Sequence, residues 1–204
     1  MKLYIVRHAQ SKRNIRVHSD EDVELTPVGE EQAKRLGSHF NDKKLDFVYC
    51  STLKRAKATL GKMKLSLNGI PLKYTNKIDE YKMGIYSKNG SDDWDAFSRD
   101  VKKKGVPFEN FKPKGGESLL ECYHRAGKFY SYLLKKHKKK NILMVGHGIF
   151  SLYLILNTLG LPTTEGAYYQ LSNASVSTLN IEGNKVKDFH INDYNQLIRE
   201  AMKK

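Results

Sequence analysis

A chain of 204 residues, 39% of them hydrophobic, is long enough for one buried core and short for two, so a single domain over 1–204 is expected. Lysine and arginine number 36 against 22 acidic residues, a formal net charge of +14, but the excess gathers in runs at 102–104, 135–136 and 138–140. Those runs read as solvated helix ends and loops, which argues against a dedicated nucleic-acid partner. No stretch approaches the roughly 20 apolar residues of a membrane helix, and no signal-type pattern opens the chain.

Residues 3–6, Leu-Tyr-Ile-Val, form the continuous apolar run of a central parallel strand. The run delivers Arg7 and His8 side by side, with Ser11 and Asn14 just beyond. Thr26, Pro27 and Glu30 then mark the capped start of a helix reaching about residue 40. A second apolar strand is predicted over 46–51, a helix over 53–64 and a third strand over 72–78. This alternation implies βαβ units with right-handed crossovers.

Residues 81–116 break the rhythm with Gly, Ser, Asn and Asp among isolated aromatics, and read as an inserted cap. Within it, 92–103 is predicted helical and 106–114 irregular because of Pro107 and Pro113. Trp94, Phe97, Phe108 and Phe111 either wall a substrate or anchor the insertion.

A long helix follows from Glu117 or Ser118 to about residue 136. A buried strand is expected over 141–147, then a helix over 149–159 stopped by Gly160 and Pro162. Two strand-like runs, 167–181 and 185–191, flank the turn signal Glu182-Gly183-Asn184, and 195–204 is a short helix or a tail. The pattern predicts an α/β three-layer sandwich: a mostly parallel central sheet, helices on both faces and the cap inserted. Cys50 and Cys122 sit in different predicted elements without metal-ligand spacing, so reduced thiols, no disulfide, no metal and a cytoplasmic protein are expected.

A strand that stops at Arg7-His8 sets a cation and an imidazole at the carboxyl end of a sheet, where open α/β folds place their ligands. The pair suits phosphate, because arginine offers a planar fork of donors and neutral histidine a lone pair that can attack phosphorus. Arg7-His8-Ala9 resembles the Arg-His-Gly signature of the histidine phosphatase superfamily, the phosphoglycerate mutase-like proteins. Ala9 replaces the glycine, and a methyl there is expected to narrow the pocket floor slightly.

Further segments match that family in order. Ser51-Thr52-Leu53-Lys54-Arg55-Ala56 resembles its Ser-x-x-x-Arg-Ala turn, which implies that Arg55 reaches the phosphate. Asp79-Glu80-Tyr81-Lys82-Met83-Gly84 resembles the segment carrying its acid, making Glu80 the candidate and Asp79 the competing choice. Gly146-His147-Gly148 is similar to the strand end holding its second histidine. Leu25-Thr26-x-x-Gly29-x-x-Gln32-Ala33, Gly115-Gly116-Glu117-Ser118 and Asn173-Ala174-Ser175 mainly support the fold.

The resemblance implies a phosphomonoester hydrolase that uses neither cofactor nor metal. His8 would form a phosphohistidine, while Arg7, Arg55 and His147 hold the phosphoryl oxygens with help from Ser11, Asn14 and Gly148. Glu80 would protonate the leaving group and then activate water, which requires surroundings that let the carboxyl keep its proton. Arg13, Arg16, His124 and Arg125 either meet an anionic substrate or are solvated surface residues. The nearest alternative is a phosphoglycerate mutase, although the resembling mutases have a longer chain and an Arg-Arg insertion lacking here. A non-catalytic phospho-ligand or nucleic-acid binding protein is the reading from another class. The substrate is expected to be a small phosphorylated metabolite; the oligomeric state is not legible.

Overall fold

The computed structural model describes residues 1–15, 22–88 and 91–192. The chain runs β1 (Lys2–Arg7), α1 (Pro27–Phe40), β2 (Phe47–Cys50), α2 (Lys54–Met63), β3 (Leu72–Tyr74), β4 (Ser87–Lys88), β5 (Ser91–Asp92), α3 (Trp94–Lys104), α4 (Leu119–Lys136), β6 (Asn141–Gly146), α5 (Gly148–Leu159), β7 (Val176–Glu182) and β8 (Lys185–His190). Six strands form one sheet in the order β3-β2-β6-β1-β7-β8. The first four of these lie parallel, whereas β7 and β8 add antiparallel to β1 and to each other.

Because successive side chains of a strand point to opposite faces, each apolar run feeds two cores. Leu3, Ile5, Ile142 and Met144 pack with Phe129 and Leu133 of α4 and Phe150 and Leu154 of α5. Tyr4, Val6, Leu143 and Val145 pack with Leu36 and Phe40 of α1 and Ala56 and Leu60 of α2. Both faces of the sheet are therefore covered, giving the three layers that the continuous runs predict.

Three boundaries differ from expectation. The third strand stops at Tyr74, because the Thr75 hydroxyl accepts from Lys77 N and starts a 3-10 turn over Asn76–Ile78. The strand expected from 167 begins only at Val176; Thr163–Tyr168 is a 3-10 turn, and Ala174 takes a φ of 55° that breaks any strand. In the cap, the helix expected over 92–103 starts at Trp94, since the Asp93 side chain accepts from Ala96 N as its N-cap. The expected helix or tail over 195–204 lies outside the described residues, as does Arg16.

The cap also contains the two-stranded pairing of β4 with β5. Phe97 is fully buried against Tyr86, Phe108 and Phe111, an aromatic cluster within the cap that joins the core on the α4–α5 side of the sheet. Gly84 lets two segments of the cap approach closely: its φ is +55°, and a Cβ there would lie 2.2 Å from the Lys114 carbonyl oxygen.

Candidate active site

Strand register brings the two histidines together. Arg7 pairs with Gly146 at the carboxyl ends of β1 and β6, so the next residues, His8 and His147, emerge side by side. Their ring centroids lie 5.2 Å apart at an interplanar angle of 59°. His8 N donates to Gly146 O at 2.8 Å, and the His8 carbonyl accepts from Ala174 N and Asn173 Nδ2. Because β7 runs antiparallel to β1, the loop before it also arrives at this edge, bringing Tyr169, Gln170 and Leu171.

The hydrogen bonds fix opposite tautomers on the two rings. His8 Nδ1 sits 2.8 Å from Ala9 O, which can only accept; the proton is therefore on Nδ1 and the Nε2 lone pair is bare. His147 Nε2 lies 2.6 Å from Ser51 Oγ. That hydroxyl donates to Asp79 Oδ1 at 2.6 Å and accepts from Leu53 N at 3.2 Å, so it takes the His147 bond as an acceptor too. His147 is thus protonated on Nε2, and its buried Nδ1 has no hydrogen-bond partner within the protein. Burial, then the charges of Arg55 and neighbours, hold both imidazoles well below the ordinary histidine pKa. These surroundings favour the neutral form of both rings.

A cavity of about 330 Å³ opens over His8, floored by Arg7, Arg55 and Gly148 and reached by Asn14 and Glu80. Arg7 donates from Nη1 to Leu171 O, while its buried Nε has no partner within the protein. Desolvation lowers the pKa of both guanidiniums, and the adjacent Glu80 charge works against that. Asn14 Oδ1 collects Ser11 N, Ser11 Oγ and Asn173 Nδ2, which leaves its own amide hydrogens for the cavity. Ser11 is buried and orients Asn14 instead of lining the cavity. The Ala9 methyl packs in the core beneath α1, so the expected narrowing of the pocket floor does not occur.

Geometry separates the two adjacent acids. Asp79 faces away from the cavity of His8 and accepts from Ser51 Oγ, Thr52 N and Thr52 Oγ1. Glu80 lines that cavity, and its carboxyl group accepts from Gly148 N at 2.9 Å, Ile149 N at 3.1 Å and Phe150 N at 3.0 Å. It caps the first turn of α5, whose own N-cap residue His147 makes no side-chain cap. These surroundings are a cradle of backbone donors that holds the carboxyl group in place at the cavity. Gly148 N is committed to the same bond.

Among the other candidates, Arg125 is structural. It forks onto Glu117 through Nε at 3.1 Å and Nη2 at 2.6 Å, and donates from Nη1 to the carbonyls of Lys77 and Asp79. His124 is exposed and lines a separate groove with Lys128 and Lys135. Arg13 lines the cavity, where Nη2 bonds Asp92 at 2.5 Å and Ser87 at 2.7 Å. Of the four cap aromatics, Trp94 alone lines this cavity. Sequence reasoning did not single out Ser51 although it begins a quoted motif, nor Asp92 and Tyr169, which no local pattern marks. Among the described residues, no group of three or more His, Cys, Asp or Glu could hold a metal ion, and no helix is long and apolar enough to cross a membrane.

Known proteins resemble this chain in sequence and in fold. The family model of the histidine phosphatase superfamily (branch 1) matches residues 3–194. Phosphoserine phosphatase 1 of Hydrogenobacter thermophilus is 27% identical over 185 residues, covering 89% of this chain and 87% of that protein. "Probable phosphoglycerate mutase GpmB" of Salmonella choleraesuis is 25% identical, covering 89% and 86%. The crystal structure of the alpha-ribazole phosphatase from Shigella flexneri shares the fold, with a TM-score of 0.79 at 23% identity over 94% of this chain and 96% of that one.

Proposed function

The chain belongs to the histidine phosphatase superfamily, and on that premise we propose that it hydrolyses small-molecule phosphomonoesters through a phosphohistidine on His8, with no metal or cofactor. The observation that carries the proposal is the close pair of imidazoles held in opposite tautomers, with His8 lining one cavity beside buried Arg7 and Arg55 and His147 buried against His8.

His8 Nε2, its lone pair bare, attacks phosphorus in line with the leaving oxygen. The P–N bond forms as the P–O bond breaks. Arg7 and Arg55 face the phosphoryl oxygens, and Arg7 Nε and His147 Nδ1 are buried groups whose hydrogen-bonding capacity such oxygens would use. Anionic charge brought against His147 favours protonation of Nδ1, which then donates to a phosphoryl oxygen while Ser51 holds the other nitrogen. Asn14 adds a neutral donor. Glu80, whose carboxyl lines the cavity, delivers a proton to the departing alkoxide and takes one from the water that attacks the phosphohistidine.

Water is the acceptor in this proposal, as suits a chain without the Arg-Arg insertion of the resembling mutases. Free, buried Cys50 and Cys122 suit the reducing cytoplasm; burial pushes the Cys50 thiol up to about 12. The test is release of inorganic phosphate from a phosphomonoester panel by the wild type and His8→Ala, with 2- and 3-phosphoglycerate interconversion assayed alongside. The proposal expects hydrolysis by the wild type, none by His8→Ala, and no interconversion. Undiminished hydrolysis by the variant removes His8 from the nucleophile role, and efficient interconversion makes the protein a mutase.

A further inference from the structure

Beyond its phosphate-binding floor, the cavity has walls of a definite chemistry. Ile149 and Leu152 present one face of α5, since residues three and four apart share a face. Leu171 and Tyr169 come from the loop before β7, and Trp94 from the start of α3. Tyr169 is 53% exposed at the rim, with Tyr168 beside it 79% exposed. Trp94 is pinned by parallel contacts with Tyr81 and Phe108, at centroid distances of 6.0 and 6.4 Å, so its place in the wall is fixed before any ligand arrives.

The charges around this wall discriminate further. Apart from the floor arginines, the one cation lining the cavity among the described residues is Arg13, and it is already paired with Asp92 at 2.5 Å. Two carboxylates, Glu80 and Asp92, line the same space. Lys82 and Lys114 line only the adjoining space that shares Glu80 and Asp92 with this one, so a second anionic group held against the aromatic wall would lie near the acids, and desolvating it there is unfavourable. Arg13 Nη1, buried and without a partner, remains a donor for a neutral acceptor on the alcohol.

We propose that the substrate is the phosphate ester of an aromatic alcohol, selected by Tyr169, Trp94 and Leu152, and that Asp92, by neutralising Arg13, discriminates against esters carrying a carboxylate beside the phosphate. The proposal rests on the phosphatase reading above. An aromatic group laid against such a wall buries apolar area, and a single aromatic contact is worth about three- to tenfold in affinity.

The test measures kcat/KM for benzyl phosphate, glycerol 1-phosphate and 3-phosphoglycerate, whose leaving oxygens all sit on saturated carbons, with the wild type, Tyr169→Ala and Asp92→Asn. Expected are a wild-type preference for benzyl phosphate over 3-phosphoglycerate of at least about tenfold, and a loss of about three- to tenfold in the benzyl to glycerol ratio with Tyr169→Ala. Asp92→Asn should shift the ratio toward 3-phosphoglycerate by severalfold. Preference for 3-phosphoglycerate by the wild type, or ratios unmoved by both substitutions, overturns the specificity while leaving the hydrolase standing. Absence of phosphate release from all three esters overturns the phosphatase reading, and this one with it.

Discussion

Ser51 Oγ lies 2.6 Å from His147 Nε2 and turns its own hydrogen toward Asp79, so the second imidazole is oriented by a serine that never lines the cavity over His8. Replacing Ser51 with alanine removes the acceptor that fixes the His147 tautomer. A hydrogen bond to a group that becomes charged is worth about 1.5–3 kcal/mol, so kcat should fall about tenfold to a hundredfold. Steady-state kinetics of Ser51→Ala check this; an unchanged kcat would show that His147 needs no such orientation.

Glu80→Gln separates the two tasks available to that carboxyl group. The amide keeps one oxygen for the α5 backbone donors, but it cannot deliver a proton. Hydrolysis of an ester with an aliphatic leaving group should fall about 10²- to 10⁴-fold, while 4-nitrophenyl phosphate, whose leaving group departs without a proton, should suffer far less. Equal losses on both esters would assign Glu80 to capping α5 alone.

Stability should depend on pH through the two buried imidazoles. Both hold folded pKa values well below 6.5, chiefly through burial, whereas the unfolded chain titrates near about 6.5. Above about pH 7 both states are neutral and the histidines are silent. As pH drops below about 6.5, the unfolded state binds protons first, and stability declines by about 1.4 kcal/mol per pH unit for each histidine until the folded pKa values are reached. Urea midpoints measured from pH 7.5 downward should therefore fall, and fall less steeply in a His8→Asn, His147→Asn double variant. Parallel curves would contradict the buried neutral pair.

Arg125→Leu is expected to destabilise the fold. It strands Glu117, which accepts from both Arg125 Nε and Nη2, and frees the carbonyls of Lys77 and Asp79 just before Glu80. Since the pair is partly exposed, a loss of about 2–3 kcal/mol in urea unfolding is expected, short of the full cost of breaking a buried pair. A loss below about 0.5 kcal/mol would mean that the pair is screened like an ordinary surface bridge.

The parallel part of the sheet was legible because its strands are buried on both faces and read as unbroken apolar runs, as at 3–6 and 142–145. The segment from 167 to 175 misled for a related reason. Tyr168, Tyr169 and Leu171 suggest a strand, but Arg7 claims the Leu171 carbonyl and Asn192 the Ser172 amide, which are tertiary bonds without a local signature. Arg7, His8, Arg55 and His147 were found through motif resemblance. Arg125, open in sequence between a substrate contact and a solvated surface residue, instead bonds Glu117 and two carbonyls, because a helical arginine looks the same in sequence whatever it meets. The cradle around Glu80 was hidden likewise, since the donors come from residues 148–150.

Rapid acid-free quenching of the protein during turnover of a phosphomonoester labelled with radioactive phosphate tests the phosphohistidine most directly. The account predicts a covalently bound label that is stable in alkali, lost in acid, located on His8 by peptide mapping and absent from His8→Ala. Turnover at the full rate without any bound label, or an equal label on the variant, would contradict it.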